Sequence, residues 1–187
     1  MKKIIALGAS SSTKSINKTL AIHAASKVVD AAITVIDLSE YNLPIYSVDA
    51  EQRFGIPYQV HKFNRLIETS DGLVISLAEH NGTYTAVFKN LIDWLSRIDM
   101  EVWKGKPMLL MATSPGRRGG ETVLAAAKAY FPFMEGDIVA DFSLPSFFEN
   151  FSETGITNTD LAGILDEKVR LFQEALENEE PVLTSEK

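Results

Sequence analysis

Hydroxyl side chains cluster in one short loop near the beginning of the chain. The segment 8–17 reads GASSSTKSIN; it follows an apolar run at 4–7 and precedes a helical pattern that starts near Leu20. The N-terminus of a helix has unsatisfied N–H groups and the positive end of the helix dipole, so it attracts anions. Capping needs one Ser or Asn, whereas residues 10–17 hold four serines, a threonine and an asparagine. The loop therefore favours a phosphate or other anion site over a simple cap.

The same loop lacks the common nucleotide-binding motifs. It contains neither G-x-G-x-x-G nor G-x-x-x-x-G-K-[ST], and no G-x-S-x-G nucleophile turn occurs in the chain. Lys14 is the only charged residue of the loop, so we expect mainly neutral donors to bind the anion. Such a set of donors suits a cofactor monophosphate better than a triphosphate that requires Mg²⁺.

A second polar loop, residues 78–84, follows the apolar run at 73–77. It reads AEHNGTY, and its Asn81 and Gly82 both tolerate left-handed backbone conformations. The chain can therefore turn sharply there and direct its amides outward, where they could hydrogen-bond a planar heterocycle. A plain turn is an equally good interpretation of these residues taken alone.

A third loop, residues 113–121, reads TSPGRRGGE. Its three glycines let the backbone approach a ligand closely, and Pro115-Gly116 is a strong turn signal. Arg117 and Arg118 form a basic pair in an acidic chain. They are either solvated loop charges or a site that attracts a phosphorylated second substrate.

The composition excludes several classes of chemistry. The chain has no cysteine, which excludes thiol catalysis, disulfide frameworks and Cys-based zinc sites. Its three histidines, at positions 23, 61 and 80, are too scattered for a His-rich metal centre, so we expect no metal. A net charge of −7, with no basic run longer than two residues, argues against nucleic acid or an anionic membrane as a partner.

Hydrophobic patterning points to a protein of the cytoplasm. No apolar stretch approaches the ~20 residues that a membrane span requires. The apolar part near Met1 is about five residues long, shorter than the core of a signal peptide, which has about 7–15 residues. We therefore expect a cytoplasmic protein with no membrane association.

Strand and helix patterns alternate regularly along the chain. A long connection at 39–57 interrupts this alternation, and the predicted elements are as follows: strands at 3–8, 33–38, 73–77, 108–112 and 137–144; helices at 15–30, 58–70, 85–98, from near 120 to before 132, and at 158–178. Five such repeats predict an α/β fold with a doubly wound parallel sheet. We expect one domain over 1–187, with an acidic tail from about 178.

The three loops together resemble those of the NAD(P)H-dependent FMN reductases, a family that includes quinone, chromate and azo-dye reductases. The family motif G-S-x-R-x-x-S-x-N-x-x-L is similar to residues 8–20, with Ser12 in place of the arginine. The motif P-E-Y-N followed by K-N-x-I-D-W is similar to 78–94, with Ala78 and His80 as departures. A Ser/Gly turn ending in Gly-Gly resembles 114–120. The resemblance covers about residues 3–145, and K-N-x-I-D-W is its most specific part.

This resemblance implies a flavodoxin-like fold with strand order 2-1-3-4-5 and bound FMN. It implies an enzyme that takes electrons from NADPH or NADH and passes them to a small acceptor such as a quinone, an azo compound or free flavin. It also implies a homodimer or homotetramer. The residues implied to bind the phosphate, the ring face and the other ring edge are, in that order, Ser10, Ser12, Ser15, Ile16 and Asn17; Glu79, His80, Asn81 and Gly82; and Ser114, Pro115 and Gly116.

Several alternatives remain open. A flavin-binding electron carrier or sensor would bind FMN without turning over NAD(P)H, and a flavin-free scaffold is compatible with the loss of arginine at Ser12. A receiver domain has the same topology but needs acidic residues where this chain has Gly8 to Ser10. His80 either stacks on the ring or is a buried structural histidine, and Trp94 packs in the core or at a subunit contact. Arg117 is a candidate for binding the phosphate of the nicotinamide nucleotide.

Overall fold

One parallel sheet organises the molecule, for which the computed structural model describes residues 1–178. All four strand pairings are parallel, and the order is β2-β1-β3-β4-β5, which confirms the predicted flavodoxin-like α/β arrangement. The strands are β1 Lys2–Ala9, β2 Ala31–Ile36, β3 Gly72–Leu77, β4 Pro107–Thr113 and β5 Asp137–Leu144. The order reverses between β1 and β3, and ligands of such sheets bind outside the carboxyl ends of the strands at that point.

Helices cover both faces of the sheet. They are α1 Ile16–Ala25, α2 Val48–Phe54, α3 Tyr58–Thr69, α4 Ala86–Ile98, α5 Glu121–Tyr130, α6 Phe147–Asn150 and α7 Thr159–Asn178. The helices α1 and α7 pack on one face, and α3, α4 and α5 pack on the other. Every residue of β3 and β4 is buried, as expected for central strands that are covered on both sides.

The first crossover differs from the prediction at both elements: α1 is shorter, and β2 has the predicted length but lies two residues earlier. Helix α1 ends at Ala25 rather than at 30, and β2 begins at Ala31 rather than at 33. Asp30 has a φ of 59°, a left-handed conformation that no helix continues, and its carbonyl accepts a hydrogen bond from the backbone N–H of Lys2. The side chain of Asp37 accepts from the backbone of Ser39, so the chain leaves β2 for a short 3₁₀ turn.

The connection predicted at 39–57 contains a helix that the sequence pattern did not indicate. Ser47 caps α2 by accepting from Ala50 N–H, and Gly55, with a φ of 73°, ends it. No residue of α2 is buried, so the helix has no apolar stripe to reveal it. Its start and stop residues were the only available signals.

The C-terminal helix agrees with its predicted span of 158–178 to within one residue. The acidic tail expected beyond it lies outside the described residues. Within residues 1–178, no helix combines the length and the apolar composition needed to cross a bilayer.

Candidate functional site

The three polar loops meet at the carboxyl edge of β1, β3 and β4 and form a cleft of about 180 Å³. Asn81, Gly82 and Gly116 are the predicted site residues that do not line it, although each belongs to a loop that does. The lining residues are Ser10, Ser12, Lys14, Ser15, Ile16, Asn17, Ala78, Glu79, His80, Thr113, Ser114 and Pro115. Residues from three separate parts of the sequence are therefore brought together at one edge of the sheet.

A larger groove of about 640 Å³ lies elsewhere, between α5 and α7 beside the edge strand β5. None of the predicted site residues lines it, and its walls are mainly apolar. Lys128 and Asp141, 2.7 Å apart, neutralise each other within it. The cleft at the carboxyl edge therefore remains the candidate site, because it combines the polar groups with the position at which this fold binds ligands.

Serine hydroxyls shape the first loop of the cleft. The Oγ of Ser10 accepts from Ser12 N–H at 3.2 Å, and the Oγ of Ser12 accepts from Lys14 N–H at 3.3 Å. Ser15 is the N-cap of α1 and accepts from Lys18 N–H at 3.1 Å. A hydroxyl that accepts such a bond keeps its own O–H to donate. These side chains can therefore hold the loop in shape and still offer donors to an anion.

The first two residues of α1 offer backbone donors. Ile16 and Asn17 line the cleft, and among residues 1–178 neither backbone N–H has an acceptor. They are the unsatisfied donors expected in the first turn of a helix, where the dipole also favours negative charge. The arrangement is an anion-binding helix N-terminus at the carboxyl edge of a parallel sheet.

The side chain of Asn17 serves the fold. Its Nδ2 donates to the carbonyl of Thr113 at 3.0 Å, and its Oδ1 accepts from Thr113 N–H at 3.0 Å and from Ser76 Oγ at 2.7 Å. Asn17 is 2 % exposed, so these buried groups satisfy one another and tie α1 to β3 and β4. The backbone N–H of Asn17 has no acceptor among the described residues and can contact an anion.

Gly8 lets α1 begin close to the end of β1. A Cβ at this position would lie 2.3 Å from the backbone nitrogen of Lys18 and 2.5 Å from its Cα. Because both are backbone atoms of the helix, a side-chain rotation does not relieve the contact. Glycine is therefore required for the strand, the loop and the helix N-terminus to meet as they do.

The second loop is a small β-hairpin. Glu79–His80 pairs with Thr83–Tyr84, and the two central residues Asn81 and Gly82 have φ values of 52° and 79°. Positive φ at both positions is the pattern of a type I′ turn, for which Asn-Gly is the preferred sequence. His80 is exposed on this hairpin at the mouth of the cleft, so the hypothesis of a buried structural histidine is wrong.

Glu79 joins the hairpin to the third loop. Its Oε2 accepts from the backbone N–H of Val123 at 3.0 Å, in the first turn of α5. The N-cap of that helix is Gly120, which has no side chain with which to cap it. Glu79 therefore supplies the missing cap from 44 residues away, and the helix dipole stabilises its carboxylate.

Two further contacts fix the hairpin. Thr85 caps α4 and donates its hydroxyl to the carbonyl of Ala9 at 2.8 Å, which joins the hairpin to the end of β1. The ring of Tyr84 lies 5.8 Å from that of Phe88 and 6.2 Å from that of Phe131. The Tyr84 hydroxyl has no partner among the described residues, and burial raises its pKa to about 12. Tyr84 therefore acts as a neutral packing residue.

In the third loop, glycines have two different roles. The carbonyl of Ser114 accepts from the backbone N–H of Phe147, and the carbonyl of Gly116 accepts from that of Ser146. These two bonds hold the exposed turn beside the cleft. Gly119 and Gly120 are buried, and a Cβ on them would lie 2.4 Å from Ser143 Oγ and 2.9 Å from Ala112 Cβ. The prediction that all three glycines admit a ligand is therefore wrong for these two, which let the loop pack against β4 and β5.

The K-N-x-I-D-W stretch, residues 89–94, holds the segment before α2 in place through hydrogen bonds. Asn90 Nδ2 and Trp94 Nε1 both donate to the carbonyl of Pro44, at 3.0 and 2.8 Å, and Asn90 Oδ1 accepts from Tyr46 N–H at 2.8 Å. Trp94 is fully buried, so the prediction of a core position is confirmed. This role of Asn90 could not be predicted from the sequence, because no local pattern relates it to Pro44, which lies 46 residues away.

The ion pair of Lys18 and Asp37 borders the first loop. Lys18 Nζ donates to Asp37 Oδ2, and the other carboxylate oxygen, Oδ1, accepts from the backbone N–H and the hydroxyl of Ser39. The hydrogen bond from Lys18, followed by those from Ser39, lowers the pKa of Asp37 to about 2. The charge of Lys18 is therefore already compensated by a carboxylate at the end of β2.

The chain is similar in sequence to known quinone reductases. The quinone reductase of Escherichia coli (strain K12) is 37 % identical over 95 residues, which are 50 % of each chain, so the chain spans about half the length of such curated relatives. A quinone reductase of Pseudomonas putida is 28 % identical over 145 residues, 77 % of this chain and 73 % of that one.

A solved structure shares the fold over nearly its full length. It is a flavoenzyme NAD(P)H:(acceptor) oxidoreductase from Paracoccus denitrificans, with a TM-score of 0.76 at 24 % identity over 95 % of this chain and 98 % of that one. The sequence model described as NADPH-dependent FMN reductase matches residues 2–149, a span that includes all three loops of the cleft. The chain therefore belongs to the NADPH-dependent FMN reductase family.

Proposed function

We propose that this chain binds FMN in the cleft and transfers electrons from NADPH or NADH to a small acceptor. The observation that carries the proposal is the convergence of three loops: a helix N-terminus rich in donors, a hairpin with outward-facing residues, and an exposed turn. Each contains residues that resemble one of the family motifs. The family match over residues 2–149 supports the same assignment.

The groups lining the cleft fit a flavin mononucleotide. The backbone N–H groups of Ile16 and Asn17 and the hydroxyls of Ser10, Ser12 and Ser15 would hold the phosphate. These are neutral donors, which need little reorganisation to stabilise an anion. The carboxylate of Glu79 is bound to Val123 N–H and so opposes an anion less than a free carboxylate would.

The rest of the cleft would receive the flavin ring. Glu79, His80, Asn81 and Gly82 would lie against its face, and the turn at 114–116 would lie along another edge. When bound, FMN supplies the hydride- and electron-transfer chemistry that the side chains themselves lack. The chain's own contribution is to orient the ring, through the hairpin held by Glu79 and Thr85, and to leave one side open to a second substrate. No side chain is proposed as an acid or base.

Quinones are the acceptor class that the relatives favour. The relatives from Escherichia coli and Pseudomonas putida are both named quinone reductases. An azo compound or free flavin would fit the same open cleft.

Steady-state kinetics test the proposed reaction. NAD(P)H oxidation by the FMN-loaded protein is measured while the concentration of a benzoquinone is varied. We expect parallel double-reciprocal lines, because donor and acceptor use the same cleft in turn. An electron carrier without NAD(P)H turnover would retain FMN and show no oxidation of either nucleotide.

Arg117 is the proposed contact for the nucleotide donor, because it is exposed on the third loop close to the cleft. Arg117→Ala is expected to raise KM for NADPH by roughly three- to tenfold through loss of a charged contact. Arg118→Ala is the matched control, since it removes the same charge one residue further along. An unchanged KM for Arg117→Ala would remove this role.

We further propose that the chain is a single flavodoxin-like domain that forms a homodimer or homotetramer in the cytoplasm. Exposed apolar side chains support the oligomer, notably Ile45, Phe54 and Tyr58 near α2 and Phe133 after α5, each at least 75 % exposed. Sedimentation equilibrium tests it, and a monomer at micromolar concentration would contradict it. The lack of cysteine is consistent with a reducing compartment.

A further inference from the structure

The cleft contains a single cation that the family motif does not account for. Lys14 lines it, together with the Ser10, Ser12 and Ser15 hydroxyls, and lies one residue before the cap of α1. Among the described residues that line the cleft, the other titratable side chains are His80 and Glu79, and the carboxylate of Glu79 is bound to Val123 N–H. Among residues 1–178, the Lys14 ammonium forms no ion pair.

The neighbouring cation is not available for this purpose. Lys18 lies one turn further along α1, and its ammonium is paired with Asp37. That pair is only about one-quarter exposed at each side chain, and Asp37 also holds the 3₁₀ turn through Ser39. Moving Lys18 to the cleft would leave that carboxylate without its partner. Lys14, unlike Lys18, can therefore approach a ligand without breaking an ion pair.

We propose that Lys14 supplies the positive charge of the phosphate subsite and makes this chain discriminate FMN from riboflavin. The inference rests on the proposed function, since it assigns one residue to the phosphate end of that cofactor. In the family motif an arginine stands where this chain has Ser12, and here the charge lies two residues later, in the same loop. The charge of Lys14 would act together with the neutral donors of this subsite.

The charge of the bound phosphate determines how much Lys14 can contribute to binding. A phosphate monoester carries close to two negative charges near neutral pH, and the serine hydroxyls and helix N–H groups supply only partial positive charges. A lysine that reaches the phosphate adds a full charge and a charge-assisted hydrogen bond. Because Lys14 is exposed, its contribution is reduced by solvent and by salt. Riboflavin lacks the phosphate, so Lys14 would contribute little to its binding.

The test compares the dissociation constants of FMN and riboflavin, measured by quenching of flavin fluorescence at low and high salt. Lys14→Ala is expected to weaken FMN binding by roughly tenfold at low salt and to leave riboflavin binding within about twofold. The difference in FMN dissociation constant between Lys14→Ala and the parent protein is expected to be smaller at high salt, because salt screens the charge of Lys14. Lys14→Arg keeps the charge and is expected to stay close to the parent protein.

A matched control removes a lysine elsewhere. Lys62 is exposed on α3 and does not line the cleft, so Lys62→Ala changes the net charge equally and is expected to leave both constants unchanged. Unchanged FMN binding by Lys14→Ala would overturn the proposal. An equal loss of affinity for FMN and for riboflavin in Lys14→Ala would also overturn it, and so would a loss of FMN affinity in Lys14→Arg equal to that in Lys14→Ala. Failure of the parent protein to bind FMN would instead contradict the proposed function.

Discussion

At the scale of single residues, the site depends on close approaches that only glycine permits. Gly8 is the clearest case, because a Cβ there would lie 2.3 Å from the backbone of α1. Gly8→Ala is expected to destabilise the fold by about 3 kcal/mol or more, since helix and strand must separate. Urea unfolding monitored by circular dichroism measures this change.

Gly163 is the matched control for this substitution. It lies inside α7, and a Cβ there meets no atom within 4 Å. Gly163→Ala is expected to stabilise the protein by about 0.5–1 kcal/mol, because alanine has the better helix propensity. If both alanine variants unfolded at the same urea concentration, the close packing described for Gly8 would be wrong.

Asp37 gives a residue-scale prediction about pH. Its folded pKa of about 2 lies below the ordinary value of 3.8, so the paired carboxylate stabilises the fold above about pH 4 and loses that effect as the pH falls towards 2. Asp37→Asn is therefore expected to cost about 1 kcal/mol at pH 7 and much less near pH 2. Unfolding free energies at a series of pH values test this, and a difference that is independent of pH would refute it.

At the scale of elements, side chains of the cleft loops and of α1 make long-range hydrogen bonds that join helices to strands and loops. Glu79 caps α5, Thr85 caps α4 while bonding to the end of β1, and Asn17 ties α1 to β4. These contacts span 44 to 96 residues of sequence. The loops of the cleft are therefore coupled through the helices that follow them, which preorganises the site.

Glu79 offers a direct test of this coupling. Glu79→Ala leaves the N–H of Val123 without its acceptor and is expected to cost about 1 kcal/mol of stability. Because the hairpin then loses its bond to α5, Glu79→Ala is also expected to bind FMN more weakly. Glu79→Gln keeps an acceptor oxygen and is expected to lose only a few tenths of a kcal/mol. Thermal unfolding distinguishes the two variants, and equal stability would show that the cap has no energetic role.

At the scale of the whole molecule, the sequence predicted what local patterns encode. Apolar runs indicated the five strands, and the Ser-rich loop, Asn81-Gly82 and Pro115-Gly116 indicated the three loops that meet at the cleft. Helix α2 escaped prediction because it buries no residue. The roles of the Asn17 and Asn90 side chains were equally invisible, since each depends on contacts with distant backbone that no spacing rule connects.

The proposed function requires that this cleft bind FMN and let NAD(P)H reduce it. The most direct measurement is the visible absorbance of the purified protein with FMN added and unbound flavin removed, recorded without oxygen before and after NADPH and then NADH. We expect the protein to retain flavin, and the absorbance of that flavin to bleach with at least one nucleotide and return when a quinone is added. Retained flavin that neither nucleotide bleaches would indicate a carrier, and absence of bound flavin would contradict the claim outright.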